Sequence, residues 1–367
     1  MKKRWVIALI CMGAICLSAC ATDSRNEKEH MPGTSEKWEG VADAESSQEE
    51  PHKPEEQKDY DIWEIEHVRE IGFGQNEHIT QDDVDRIGRF IHLKRLKLSI
   101  DESGIDLSLL EGLVELESLE MDIRDGCSPD LSFMASLTQL ESLDITVGSD
   151  ADLKPLGSLV GLRQLSVSTW SGDNPDLSFL KKLSCIEKVI IAKCCAVSDL
   201  SMFQNMSSMR ELDVAYVEDG DLRPLYNLEN LESLSIIGAN IRNPEGLGNL
   251  KRLKSLSLYD NSSEAMYGET ERVPFDVQSI ANMTELEWLD LVYLYVEDIS
   301  PLENLKSLRH IGLIKTNVRD ILPLAGLEKL DEISIFGNNS ELVKEQAESY
   351  FDKVGNMIVT EEIPNGL

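Results

Sequence analysis

The chain reads as an α/β repeat solenoid, and three observations predict it. An L-x-L pair recurs at one phase, beginning at Leu96, Leu119, Leu143, Leu165, Val189, Leu212, Leu234, Leu256, Leu289, Ile311 and Ile333. The steps are 23, 24, 22, 24, 23, 22, 22, 33, 22 and 22 residues, which is the mark of a repeat array. Within a copy, apolar residues fall three apart and then two apart, as in Leu222, Leu225, Leu228, Leu231, Leu234 and Ile236. Finally, 367 residues with only 6% aromatics exceed one ordinary core but suit stacked coils built on leucine.

The closing two-residue spacing implies a short strand with both side chains on one face. The preceding threes suit 3₁₀ turns that fold the chain back over its own core. One coil cannot bury its leucines from both sides, so each must stack on the next. Eleven strands at about 4.8 Å per step would form a parallel sheet roughly 48 Å long, lining the inside of a curved rod.

Four copies, Asp152–Leu159, Asp221–Leu228, Asp298–Leu305 and Asp320–Leu327, share the phrasing Asp, Ile or Leu, any residue, Pro, Leu, two residues, Leu. This phrasing resembles the 22-residue repeats of bacterial internalin-like leucine-rich-repeat proteins, over about residues 60–367. The resemblance implies a horseshoe of about eleven 22–24-residue coils, a parallel β-sheet on the concave face, and helical caps at both ends. It is specific for fold and says little about function, because this scaffold serves many partners. The family usually sets Asn five residues after the first strand Leu, forming a hydrogen-bonded ladder. Here only Asn261 and Asn338 stand there; elsewhere the slot holds Asp101, Arg124, Gly148, Trp170, Cys194, Val217, Ala239, Leu294 or Thr316. A looser ascending edge is expected.

The chain opens with Lys2, Lys3 and Arg4, then an apolar run from Trp5 to Cys16, too short to span a membrane comfortably as a mature helix. Leu17-Ser18-Ala19-Cys20 follows and resembles the bacterial lipobox, which implies that residues 1–19 are removed and Cys20 is lipidated. Two acyl chains, one of them palmitate-like, suffice for stable anchoring where one does not. The alternative is an ordinary signal peptide with an incidental cysteine. Residues 21–59 hold almost no large apolar groups beyond Met31, Trp38 and Val41, so they are expected to form a disordered acidic tether.

Residues 60–92 are expected to cap the array. Ile62, Ile65, Val68 and Ile71 predict a helix from about Tyr60 to Ile71, and Thr80 to Asp83 a capping box opening a second helix through Val84, Ile87 and Ile91. The solenoid proper occupies 93–338, and residues 339–367 form the far cap. There Ser340 to Lys353 predicts an amphipathic helix burying Leu342, Val343, Ala347, Tyr350 and Phe351, stopped near Gly355, with a last strand within Met357 to Ile363.

Chemistry-bearing motifs are sparse. Cys127, Cys185, Cys194 and Cys195 remain beyond Cys20, but coil spacing sets Cys127 about 14 Å from Cys194, past bridging distance. They are expected to be unpaired, in or near coil interiors. No C-x-x-C pair suggests zinc. Among six histidines only His310 falls on the strands, and no hydrolase, phosphate-loop, dinucleotide or EF-hand motif is present. The chain is therefore expected to be no enzyme, with no cofactor and no metal. Its formal charge of −32 argues against nucleic acid and anionic membrane surfaces as partners.

The residues flanking and between the strand leucines point out of the concave sheet. In the N-terminal coils these are Lys97, Ser118, Glu120, Asp122, Ser142, Asp144, Ser166 and Ser168, a polar surface. In the C-terminal coils they are Ile237, Tyr259, Trp288, Asp290, Val292, His310, Ile314 and Phe336, with Tyr293 and Tyr295 on the adjoining edge. Exposed, that patch has the composition of a binding hot spot. The 33-residue step adds a loop over Tyr259 to Phe275, with Met266 and Tyr267 near its middle, beside the patch. The bland readings are a neutral loop and aromatics packed beneath it.

Together these features predict a non-catalytic, surface-anchored lipoprotein of protein–protein recognition, adhesin or receptor-ligand in type. One alternative is a cell-envelope scaffold with an endogenous bacterial partner. Another is a carbohydrate or peptidoglycan binder that stacks sugars on the aromatic patch. The expected location is the outer side of the bacterial cell membrane, held by lipid at Cys20.

Overall fold

The computed structural model describes residues 66–73, 78–148, 150–170, 175–192, 197–238, 240–260, 274–335, 345–346 and 358–359. Lipidation at Cys20, the tether, Cys194, Cys195, Met266, Tyr267, Phe336 and most of the predicted C-terminal helix lie outside the described residues.

The strands are β1 (Glu70–Gly72), β2 (Arg95–Ile100), β3 (Ser118–Ile123), β4 (Ser142–Val147), β5 (Gln164–Thr169), β6 (Lys188–Ala192) and β7 (Val197–Asp199). They continue with β8 (Glu211–Asp219), β9 (Ser233–Gly238), β10 (Ser255–Asp260), β11 (Trp288–Val292), β12 (His310–Ile314), β13 (Glu332–Ser334) and β14 (Ile358–Val359). All belong to one parallel sheet in sequence order, except that β7 pairs with β8 off the main path. The predicted phase is the observed register. Leu96 faces Leu119, Leu119 faces Leu143, and the series runs without a slip to Ile311 facing Ile333. The 33-residue step does not interrupt it: Leu256 faces Leu289. The inserted segment is shorter than expected, since Tyr259 remains in β10 and Phe275 returns to the core at 6% exposure.

Opposite the sheet, short 3₁₀ turns such as Ser108–Gly112 and Leu322–Gly326 close each coil, and the leucines between turn and strand form one continuous core. The recurring Asp of the repeat has a structural task here. Among the described residues, its Oδ1 accepts the backbone N–H two residues on in nine coils, from Ser108 on Asp106 to Leu322 on Asp320, at 2.6 to 3.1 Å. This side-chain turn satisfies a donor that the 3₁₀ turn leaves open. Part of the acid excess is therefore architecture.

Those caps predict an acid sensitivity. Hydrogen bonds from the next-but-one Ser hold Asp106 and Asp298 (backbone N–H foremost) and Asp130 and Asp176 (hydroxyl foremost) below their ordinary value of 3.8. A carboxyl lowered in the fold contributes stability that is present above its unfolded pKa and lost as pH falls through the folded value. Burial pushes Asp213 the other way, so its contribution rises on acidification. The midpoint of urea unfolding is expected to fall as pH drops from 5 to 3, and to recover partly in Asp130→Asn, which keeps an acceptor. A midpoint flat across that window would contradict the capping role.

The strand-entry edge carries a second regularity. Arg163 pairs with Glu187 at 2.5 Å, Glu187 with Arg210 at 3.8 Å, Arg210 with Glu232 at 2.7 Å and Glu232 with Lys254 at 2.8 Å. After the insertion Glu287, Arg309 and Asp331 resume the alternation at 3.7 and 3.6 Å. Each exposed pair contributes little alone, screened as it is by solvent, but the row disfavours any mismatched neighbour.

The caps differ from expectation in part. The capping box is present: Thr80 N–H donates to Asp83 Oδ2 at 3.1 Å, and Asp83 N–H to Thr80 Oγ1 at 3.3 Å. Its helix α1 (Gln81–Ile87) buries Val84 and Ile87 but ends there; Ile91 is 50% exposed, and Phe90 and Leu93 fill the core instead. The first helix does not reach Ile71. Glu70–Gly72 is a strand, with Ile71 opposite Leu96, because the open edge of β2 offers backbone partners that a helix cannot use. At the far end β14 pairs with β13, as the predicted last strand should.

The slot lacking Asn is filled with other side chains. Val217 and Leu294 are 2% exposed and Thr316 4%, while Trp170 turns out at 49% exposure. Trp170 Nε1 donates to Ile123 O at 2.8 Å, tying coils two steps apart. Cys127 is free and buried, as expected; Cys185 is free but exposed, on the surface of its turn rather than in a coil interior.

Candidate binding face

The pleat sends the strand leucines into the coil and their neighbours onto the opposite face in three rows. The row before the first Leu reads Ser233, Ser255, Trp288, His310 and Glu332 across β9 to β13. Between the leucines the row reads Ser235, Ser257, Asp290, Gly312 and Ser334. The third reads Ile237, Tyr259, Val292 and Ile314. The described residues predicted for the site thus come together on one stretch of sheet.

Their exposure is lower than alternation alone predicts. His310 is 4% exposed, Asp290 8% and Val292 9%, so these three are buried. Ile237, Tyr259, Trp288, Tyr293, Tyr295 and Ile314 are half-buried. The cause is a side-chain stack. Trp288 lies flat on His310, with ring centroids 3.6 Å apart and planes 8° from parallel. Its Nε1 donates to Asp290 Oδ2 at 2.5 Å, and His310 Nε2 lies 3.0 Å from Asp290 Oδ1. His310 Nδ1 is 3.4 Å from Glu332 Oε2. Room for the carboxylate comes from Gly312, where a Cβ would stand 2.0 Å from Asp290 Oδ1. Glycine inside a strand often marks such a close approach, the one signal by which sequence reasoning could have found it.

A second aromatic pair flanks the stack. Tyr259 meets Tyr293 edge to face, with centroids 5.4 Å apart and planes at 63°. Burial, helped by Tyr293 and Asp260, pushes the Tyr259 hydroxyl up to about 12. Tyr293 sits at φ 57°, a left-handed conformation costly for an aromatic residue, and its N–H donates to Ile314 O at 2.8 Å. Tyr295 OH donates to Glu297 Oε1 at 2.7 Å. These contacts hold the aromatics in fixed rotamers, which lowers the ordering cost of binding anything to them. In the N-terminal half the same face is polar, with Lys97 paired to Glu120 across β2 and β3.

Among the described residues no group of three or more His, Cys, Asp or Glu side chains is placed to hold a metal ion. One groove, bordered by Pro175, Lys181, Asp199 and Met202, lies on the turn side of the coils, away from the aromatic stack.

A parallel sheet of one strand per coil, backed by 3₁₀ turns at a period in the low twenties, defines a leucine-rich-repeat solenoid. Solved structures bear this out. The chain is similar to an internalin (inlF) of Listeria monocytogenes, with a TM-score of 0.60 and 20% identity over 81% of this chain and 82% of that one. It is also similar to a leucine-rich-repeat protein of Leptospira interrogans, with a TM-score of 0.56 and 17% identity over 82% and 80% of the two chains. At these identities the likeness is one of fold. No protein-family model and no curated protein matches the chain.

Proposed function

We propose that the chain is a non-catalytic recognition module, held on the outer side of a bacterial membrane by lipid at Cys20, that binds a protein through the C-terminal half of its sheet face. The observation that carries this reading is the preorganised aromatic surface of Trp288, Tyr259 and Tyr293 on a broad, continuous sheet. Such a surface offers area rather than a deep cavity, which suits a protein more than a small molecule. Adhesin or receptor-ligand activity is the leading form of the proposal. Envelope scaffolding and sugar binding are its competitors.

The full chain, immobilised, would be exposed in parallel to bacterial envelope extract, host-cell membranes and a glycan array. Capture of a protein that is lost with Trp288→Ala/Phe336→Ala, and kept with Leu109→Ala at the exposed side of a 3₁₀ turn, is the expected result. Capture unaffected by the double change would place the site elsewhere. Incorporation of labelled palmitate in cells, lost with Cys20→Ser, tests the anchor.

A further inference from the structure

The sheet face beside Trp288 has a definite shape. On β9 and β10, both outward rows are serine: Ser233 and Ser255 in one, Ser235 and Ser257 in the other. Larger groups rise on either side. Trp288 and Asp290 stand on β11, and Glu211 and Asp213 stand on β8. The result is a trough two strands wide with a floor of short hydroxyl side chains, closed at its end by Ile237 and Tyr259.

The walls are chemically unequal. Trp288 and His310 stack along the direction from strand to strand, so one indole face is covered by His310 and the other looks over Ser255 into the trough. Because Trp288 Nε1 reaches Asp290, the ring leans along the strand toward the row that contains Ser257, Ser235 and Asp213. Opposite, Glu211 is occupied by Lys188 at 2.6 Å. Burial holds the Asp213 pKa above the ordinary 3.8; the Ser235 hydroxyl on β9 and Lys188 lower it, but less than burial raises it. Two strand spacings of about 4.8 Å separate Ser235 on β9 from Trp288 on β11, room for one planar cation.

We propose that this trough receives an arginine side chain of the protein partner, with its guanidinium stacked on the open face of Trp288 and its charge facing Asp213. Guanidinium fits better than a sugar: it is planar, stacks on indole and carries its charge toward Asp213, whose nearest cation, Lys188, is already shared with Glu211. The formal charge of −32 attracts a basic segment from a distance. The proposal rests on the sheet face being a protein-binding surface and adds the chemistry of its central contact.

The test is a titration of the full chain with two blocked peptides, one arginine among glycines and serines and the same peptide with neutral citrulline, followed by the indole Nε1 proton of Trp288. The arginine peptide is expected to bind about tenfold or more tightly than the citrulline peptide. Asp213→Asn and Trp288→Ala should each erase that preference, measured for the latter by calorimetry, while Asp144→Asn in the same row three strands earlier should keep it. Equal binding of the two peptides, no binding, or an equal loss in Asp144→Asn overturns the inference. So does a chito-oligosaccharide that binds at Trp288 where the arginine peptide does not. A protein captured at the sheet face by wild type and Asp213→Asn alike would leave the recognition reading standing and remove only the arginine; no Trp288-dependent capture removes the reading itself.

Discussion

Replacing Phe203 with alanine is expected to lower the unfolding free energy by about 3–5 kcal/mol, the largest single effect in the molecule. Phe203 closes the short turn Ser201–Phe203, is fully buried, and is the bulkiest wholly enclosed side chain among the described residues. The turn offers three residues and little slack, so the cavity cannot collapse, and cavity volume adds to the lost transfer energy. In a stacked array the damage should stay near its origin, because each coil touches only its neighbours. Urea unfolding would measure the loss, and amide exchange should rise in β6, β8 and the turns beside them before it rises at either end. Leu109→Ala, at a side chain 52% exposed, provides the contrast and should cost about 0.5 kcal/mol or less. A Phe203→Ala cost below about 1 kcal/mol would mean the coil repacks freely, as a close-packed interior cannot.

Gly312→Ala is expected to cost about 2–5 kcal/mol, from overpacking together with hydrogen bonds lost by a buried carboxylate. The new methyl would lie 2.0 Å from Asp290 Oδ1 and 3.5 Å from His310 Nε2, so the carboxylate must swing out. That releases Trp288 Nε1 and His310 Nε2 together. Thermal unfolding reads the cost, and the indole proton of Trp288 reads the released hydrogen bond. A double-mutant cycle separates the clash from mere loss of flexibility. With Asp290→Ala already in place, Gly312→Ala should add less than about 1 kcal/mol. Additive costs would show that the glycine serves its own backbone and not the carboxylate.

The repeat phase was legible because each coil presents one L-x-L, and a parallel ladder permits no slip without turning leucine toward solvent. Every predicted strand leucine from Leu96 to Ile333 accordingly stands opposite its counterpart. The second helix of the first cap was legible from its Thr80–Asp83 box, but the segment before it was not. Val68 and Ile71 are three apart, which a helix satisfies locally, while the strand around Ile71 depends on β2, some 25 residues away. The direction of the site residues could be read from alternation, but their burial could not. Alternation says that Asp290 and His310 leave the coil; only the lean of Trp288 and the missing Cβ of Gly312 decide that they are then enclosed. Asp213 was passed over because two isoleucine- and serine-bearing neighbours, Ile190 and Ser235, give no hint in sequence of a shared trough.

The row of paired charges from Arg163 to Lys254 bears on how such a chain can lengthen or shorten over generations. Leucine cores are interchangeable from coil to coil, so hydrophobic stacking alone would tolerate loss of any one unit. Excise the unit that carries Glu187, however, and Arg163 is set beside Arg210; excise two together and cation meets anion again. Along this stretch the hereditary unit is a couplet, and natural variants of this chain should differ there by even numbers of coils.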